Sequence, residues 1–292
     1  MPLRKAAWLA RITWAAAQKG TMFPADSRRR PELAPGGTTR RVVAGGLLGR
    51  ALELERVDLV EHRLAVPELD RPLTLLQLSD VHLRQADHRL DRIVAALDGL
   101  RPDLVVLTGD IVTRGWTEAA VATLLEALPD APLGTYAVMG NWEHWGDAAP
   151  EVWGPLLERH GVRLLMDEVV DLGGLSLAGT DDFYAGEPDA TAVLRRLDGR
   201  PAVVLSHSPG LFPALAKDRV RLVLSGHTHG GQVILPLLGA FFVPKGSGRF
   251  VAGWYRSGEA WLYVSVGVGW SLAPFRRGCP PELVLHHLAP AV

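Results

Sequence analysis

Two histidines separated by one residue, His227 and His229, stand in the stretch Leu224-Ser225-Gly226-His227-Thr228-His229-Gly230-Gly231. On extended backbone, positions i and i+2 point to one side, so both rings can reach one small volume. The flanking glycines let the chain turn sharply and keep bulk away from that volume. Imidazole is the commonest neutral metal ligand, and the pattern therefore suggests a metal site. By itself a His-x-His serves equally as two loop histidines bonded to backbone. Elsewhere, Asp80 with His82, Asp110, Asn141 and His207 each follow an apolar run, as His227 does. Singly they read as a helix cap, a turn former or a satisfied loop histidine. Five such blocks, each straight after an apolar run, point instead to one shared site.

The elements that must carry these residues alternate in type. Residues 73–78 read as a strand ending in Ser79-Asp80-Val81-His82. Asp87 then caps a helix with Leu90, Ile93, Val94, Leu97 and Leu100 on one face. A strand over 104–107 ends in Thr108-Gly109-Asp110, and a helix from about Thr117 turns Val121, Leu124, Leu125 and Leu128 inward. A strand over 135–139 runs into Gly140-Asn141. The rhythm continues with a helix near 150–159, short strands within 162–178 and a helix near 190–197. A strand over 202–205 leads into Ser206-His207, a short helix lies near 210–216, and a last strand enters His227. Such alternation argues for an α/β sheet with its site at the carboxyl ends of the strands. Beyond Gln232 the helical pattern stops, and 248–255, 259–266 and 282–288 read as hairpin-forming strands.

At 292 residues, with 48% hydrophobic and 22% charged residues, the chain has a globular composition and enough length for a sizeable core. The single cysteine, Cys279, excludes an intrachain disulfide and any cysteine-based zinc cluster. Net charge is −1, unevenly spread. Residues 1–50 hold ten Lys and Arg against Asp26 and Glu32, a net +8, so the remainder carries −9. We divide the chain into a basic arm, 1–51, and a folded domain, 52–292. The arm reads either as a contact for an anionic surface or as a solvated tail. Trp8 and Trp14 could seat an interfacial helix. Thr39-Arg40-Arg41-Val42-Val43 is similar to a degenerate twin-arginine export signal, though it starts late and no clear cleavage site follows. The apolar stretches 6–17 and 42–49 fall short of the ~20 residues a spanning helix needs. Localisation is therefore left between cytoplasmic, peripheral to the inner membrane, and exported. The acidic body, without a basic stripe interleaved with aromatics, argues against nucleic acid.

In order, Asp80-x-His82, Gly109-Asp110, Gly140-Asn141, His207 and Gly226-His227-x-His229 resemble the calcineurin-like metallophosphoesterases, over roughly residues 70–289. The resemblance implies two packed mixed β-sheets flanked by helices, a four-layer αββα sandwich. It implies two divalent metal ions, one on Asp80, His82 and His229, the other on Asn141, His207 and His227, with Asp110 bridging. Carboxylate, amide oxygen and imidazole together suit Mn, Fe or Zn better than Ca or Mg. The implied reaction is in-line attack of a metal-bridging hydroxide on a phosphodiester or pyrophosphate.

The family's third block usually reads Gly-Asn-His, and that histidine helps protonate the leaving group. Here Trp142 holds the place, so His144 is the candidate donor; the plainer role is packing between Trp142 and Trp145. On extended backbone His144 would share the side of position 142, with Glu143 facing away and left for a structural bond. Gly230-Gly231-Gln232, the run 264–269 and Cys279-Pro280-Pro281-Glu282 resemble a bacterial branch of phosphodiesterases and UDP-2,3-diacylglucosamine pyrophosphatases. That implies a lipid-linked or nucleotide-sugar lipid substrate, although Val266 stands where the branch usually has Arg. The apolar stretch 233–243 reads as a lipid-facing rim or as a segment buried against the second sheet. Competing functions are a non-catalytic module that keeps the fold, and a nuclease.

Overall fold

The computed structural model describes residues 21–22, 37–43, 56–217, 219–235, 239–240, 242–271 and 275–291. Apolar runs bounded by Gly, Asp or Pro form its strands, in two sheets. The first sheet takes β1 (Gly37–Val43), β2 (Val57–Val66), β3 (Leu73–Leu78), β4 (Leu104–Leu107), β5 (Thr135–Ala137) and β6 (Val162–Leu164). The second takes β7 (Glu168–Asp171), β8 (Ser176–Gly179), β9 (Ala202–Leu205), β10 (Val220–Ser225), β11 (Gly253–Ser257) and β12 (Ala260–Val264). The last strand, β13 (Glu282–Pro290), returns to the first sheet. Spatial orders are β1-β2-β13-β3-β4-β5-β6 and β11-β12-β10-β9-β8-β7. Both sheets are mixed. β3 to β6 run parallel, as do β8, β9, β10 and β12, whereas β13 lies antiparallel to β3 and parallel to β2.

Side chains alternate across a strand, and here both faces of the central strands are covered. Leu75, Leu104 and Val106 of the first sheet meet Val203, Leu205, Leu222 and Leu224 of the second. On the opposite face Leu76, Leu78, Val105 and Leu107 meet the helices α1 (His88–Leu97), α2 (Glu118–Glu126) and, beyond a short α3 (Asn141–Trp145), α4 (Pro150–Arg159). The outer face of the second sheet, with Val204, Val223 and Leu262, is covered by α5 (Ala190–Arg195) and α6 (Phe212–Leu215). The result is four layers, helix, sheet, sheet, helix, in agreement with the sequence. Helix starts also follow local chemistry. Asp87 accepts from Arg89 N and Leu90 N at 2.9 and 3.1 Å, and Thr117 accepts from Ala120 N at 3.4 Å.

One strand goes elsewhere than expected. Of the three read as hairpin-forming, β11 and β12 do pair antiparallel. β13 instead inserts between β2 and β3. Its composition explains this: Leu283 and Leu285 face the helix layer while Val284 and Leu288 face the inter-sheet core, so it needs cover on both sides. The strand β1 lies within the segment read as the arm, with Arg40 and Arg41 in register with Leu59 and Asp58. Thr21–Met22 pairs antiparallel with Phe242–Val243. Trp8 and Trp14 lie outside the described residues, as does most of the arm. Among the described residues no helix is long and apolar enough to cross a membrane.

With β13 central, removal of residues 282–292 should separate β2 from β3 and expose both cores. We expect that truncation to lose cooperative urea unfolding; a sharp transition like that of the full chain would contradict the strand's central role.

Candidate metal centre

Strands β3, β4 and β5 of the first sheet, and β9 and β10 of the second, end at one place. Past those ends, buried ligand-type side chains gather in two groups, Asp80 with His82 and His229, and Asp110 with His207 and His227. Within each group the ligand atoms lie within 4.8 Å of one another. In the first, His82 Nε2 and His229 Nε2 are 2.9 Å apart, and His229 Nε2 is 3.4 Å from Asp80 Oδ1. In the second, His207 Nε2 lies 3.3 Å from His227 Nδ1, 3.2 Å from Asp110 Oδ2 and 3.3 Å from Asn141 Oδ1. Asp110 Oδ2 is also 3.7 Å from His82 Nε2, which puts it between the groups. All seven residues singled out from the sequence therefore converge.

The surroundings orient these donors. His207 Nδ1 donates to Thr108 O at 2.7 Å, leaving Nε2 to face inward. His227 Nε2 is bonded to Lys245 O, which leaves Nδ1 inward. Asp80 accepts from Ser79 Oγ at 2.6 Å and from His227 N at 3.0 Å, and Asp110 Oδ1 accepts from Trp142 N at 2.8 Å. Burial holds His82 and His229 well below the usual imidazole range, and burial with the neighbouring His207 brings His227 down to about 4. These three rings are therefore neutral, the form that coordinates metal. Burial pushes Asp110 up to about 7 and raises Asp80, so both carboxylates lack enough positive charge nearby. Such a set of convergent N and O donors fits divalent cations.

Glu143 is the clamp behind the centre. Its side chain is fully buried. Oε2 accepts from Asp110 N at 2.9 Å and Gly140 N at 2.8 Å, and Oε1 from Ile111 N at 2.7 Å and Val112 N at 3.1 Å. One carboxylate thus ties the turn after β4 to the turn after β5, the structural bond expected of it. The reason expected for His144 does not hold, because Asn141–Trp145 is a helical turn and not extended. His144 lies beside Asp181 instead, with Nε2 2.6 Å from Asp181 Oδ1. Burial opposes its charge, but the Asp181 bond and the carboxylates of Asp181, Asp182 and Glu143 outweigh that and raise its pKa.

Trp142 meets His82 edge-on at 5.8 Å and Trp145 at 5.8 Å; Trp145 meets Tyr184 at 5.3 Å, and Tyr184 meets His227 at 5.7 Å. These rings form an arc from one ligand group to the other. The sequence reading missed Asp181, although Leu177-Ala178-Gly179-Thr180-Asp181 repeats the pattern of an apolar run ending in a carboxylate. It also missed Arg276, which is 1% exposed. Arg276 Nη2 lies 3.0 Å from His229 Nδ1 and donates to Val266 O at 2.7 Å. No spacing signal marks it. It brings a guanidinium to the side of Val266, where the resembling branch has its arginine.

The model of the calcineurin-like phosphoesterase family matches residues 73–231, which contain all seven convergent residues. The chain belongs to this family. It is accordingly a metal-dependent phosphoric ester hydrolase by membership, and the family together with the two ligand groups implies divalent metals. The uncharacterized metallophosphoesterase YkuE of Bacillus subtilis (strain 168) is 32% identical over 273 residues, 88% of this chain and 93% of that protein. Phosphodiesterase YaeI of Escherichia coli (strain K12) is 32% identical over 247 residues, 79% of this chain and 88% of that one. Among solved structures, TT1561 of Thermus thermophilus is similar with a TM-score of 0.42 at 17% identity, over 67% of this chain and 90% of that one.

The clamp generates a test. Glu143→Gln keeps the shape but replaces one accepting oxygen by an NH2 group, so two of the four N–H groups lose their partner. Hydrogen bonds to charged groups contribute about 1.5–3 kcal/mol each, and unfolding free energy should fall by roughly 3 kcal/mol or more. An unchanged urea midpoint would show that the two turns are held by something else.

Proposed function

We propose that the protein hydrolyses a phosphodiester or pyrophosphate bond with two divalent cations, one on Asp80, His82 and His229, the other on Asn141, His207 and His227. Asp110 would bridge them. The observation that carries this is the position of Asp110 Oδ2, 3.7 Å from His82 Nε2 and 3.2 Å from His207 Nε2. Bound there, the cations would polarise the phosphoryl oxygens and lower the pKa of a water. The donor set favours Mn, Fe or Zn.

The chain's own residues supply the rest. Thr108 O and Lys245 O fix the ring orientations of His207 and His227, and the aromatic arc shields one side of the centre from water. His144 is the proposed proton donor to the leaving oxygen. Asp181 holds its Nε2 and favours the charged ring, while Nδ1 keeps a proton to give. Retention of every ligand-type residue favours turnover over a non-catalytic module. Purified protein with Mn²⁺ should hydrolyse bis-p-nitrophenyl phosphate faster than p-nitrophenyl phosphate. A UDP-linked acyl sugar tests the pyrophosphate branch, and no turnover of any of the three would favour the module.

His144→Ala should slow esters with poor leaving groups by about 10²–10⁴-fold, the usual contribution of a positioned acid, and slow p-nitrophenyl esters much less. Because the charged ring is the active form, the rate on poor leaving groups should fall as pH rises through the raised His144 pKa. Asp181→Asn removes the partner that raises it, so the fall should move to lower pH. Equal loss across all leaving groups would mean that His144 only positions the loop.

A lipid-linked substrate is supported by exposed Ile234, Phe242 and Phe275 around the turn that follows His229. The stretch 233–243 thus divides, since Ala240 and Val243 are buried and 236–238 and 241 lie outside the described residues. Pairing of Thr21–Met22 with Phe242–Val243 sets those two residues of the arm segment beside exposed Phe242, and residues 1–20, next in the sequence, carry Arg4, Lys5, Arg11 and Lys19. Full-length protein should therefore sediment with anionic vesicles at low salt, and less as salt screens the charges. Equal sedimentation after deletion of residues 1–20 would remove the arm from the account.

A further inference from the structure

A cavity of about 520 Å³ opens beside the centre, lined by Arg84, Gln85, Ala86, Asp87, Arg114 and Gly115. None of the proposed ligands lines it. Its place follows from chain order: Arg84 comes two residues after His82, and Arg114 four after Asp110. The two segments run side by side as a continuation of β3 and β4. His82 N donates to Asp110 O at 3.0 Å, Leu83 N to Ile111 O at 2.8 Å, and Thr113 N to Leu83 O at 3.0 Å. An extended residue advances the chain by ~3.3–3.6 Å, so the Cα of Arg84 stands roughly 7 Å from that of His82.

Both guanidinium groups are positioned but not neutralised. Arg84 Nε donates to Arg114 O at 3.1 Å, and Arg114 Nε to Trp145 O at 3.4 Å. These are neutral backbone acceptors. They pin the side chains and leave the Nη groups of both residues without a partner among the described residues. The carboxylate on the wall, Asp87, is engaged through Oδ1, which caps α1 at Arg89 N and Leu90 N and lies 3.8 Å from Arg89 Nε, so one negative charge faces the two guanidinium groups. Two like charges share one concavity, with their forked donors free. A planar fork of N–H donors matches the oxygens of phosphate or carboxylate better than any neutral group. Through Trp145, Arg114 is also tied to the aromatic arc that joins the two ligand groups.

We propose that this cavity is a second anion subsite, which takes a phosphate carried by the substrate at a distance from the bond that is cut. The subsite deepens the phosphoesterase reading and rests on it only for what carries the anion. The substrate class then narrows to diesters or pyrophosphates with a further phosphate about one sugar or one short linker away.

Two measurements on the full chain test this. In the first, metal-stripped protein is titrated with inorganic phosphate at low ionic strength, so that the metal centre does not contribute as a cation site. Arg84→Gln should weaken binding about tenfold, the loss expected when a charged hydrogen-bond donor is removed. The double variant Arg84→Gln/Arg114→Gln should lose binding, and Arg84→Lys should fall between. Both positions are exposed, and cooperative thermal unfolding confirms that each variant is folded. Equal phosphate affinity in the wild type and the double variant, or none in the wild type, overturns the subsite.

In the second, metal-loaded enzyme is given bis-p-nitrophenyl phosphate and a p-nitrophenyl diester whose other alcohol bears a phosphate. The ratio of their KM values should favour the phosphorylated diester in the wild type and shrink about tenfold in the double variant. An unmoved ratio with phosphate binding lost would mean that the cavity takes free phosphate, which overturns its assignment to substrate. Hydrolysis of neither diester would refute the phosphoesterase reading, and the phosphate titration would still decide the subsite.

Discussion

Asp80 and Asp110 carry carboxylates that are 0% and 2% exposed, with four imidazoles around them. Removing an ionised carboxylate from water costs several kcal/mol unless charge and hydrogen bonds replace the lost hydration. The protein replaces part of it. Ser79 Oγ and His227 N donate to Asp80, Trp142 N donates to Asp110, and His207 Nε2 stands 3.2 Å from Asp110. The replacement is incomplete, since burial still lifts Asp110 to about 7. A site built this way has a standing demand for cations. Burial keeps His82, His227 and His229 neutral, with lone pairs to offer. Burial also opposes a charge on His207, but Asp110 and Asp80 outweigh it and raise its pKa, so a metal there would take the place of a proton.

Meeting that demand strains the backbone. Asp80, His82, Asp110, His227 and His229 have φ of 53°, 53°, 53°, 73° and 50°. Non-glycine residues held there cost of order 1–3 kcal/mol each. The neighbouring glycines make the approach feasible. A Cβ on Gly226 would lie 2.2 Å from Asp80 Oδ2, and one on Gly140 would lie 2.3 Å from Asp110 Oδ1. The strained turns persist because many bonds fix them together. Asp80 N donates to Gly109 O, Gly226 N to His207 O, Gly269 N to Asp80 O, and Glu143 holds four more N–H groups.

Most of this centre was legible because its logic is local. An apolar strand, a tight turn and a polar side chain recur at Asp80, Asp110, Asn141, His207 and His227, and each block can be read within a few residues. The strand rhythm and the caps at Asp87 and Thr117 were legible for the same reason. What escaped depends on distant contacts. The destination of β13 is set by which sheet has a gap with apolar cover on both faces, and residues 282–290 say only that both faces are apolar. His144 was expected on an extended segment, but Glu143 reaches back to Gly140 N, Asp110 N and two further amides and winds the chain into a turn. Arg276 reaches His229 across 47 positions of sequence, from a loop without regular spacing.

Each ligand group draws on both sheets. Asp80 and His82 follow β3 of the first sheet, whereas His229 follows β10 of the second. Asp110 and Asn141 follow β4 and β5, whereas His207 and His227 follow β9 and β10. Neither sheet alone holds a complete set, so the centre exists only when the inter-sheet core of Leu75, Val106, Leu205 and Leu224 has closed. Gln77 reinforces the closure from inside: its Nε2 donates to Ser225 O across the sandwich while its Oε1 meets His286 Nε2 of β13. The dependence also runs the other way. A cation that binds only the assembled groups stabilises the folded chain by mass action, and here it would do so by bonding one sheet to the other. The two-sheet architecture is thus tied to the chemistry, because a sandwich is what lets the carboxylates and His82 of one sheet meet the three imidazoles of the other at a single edge.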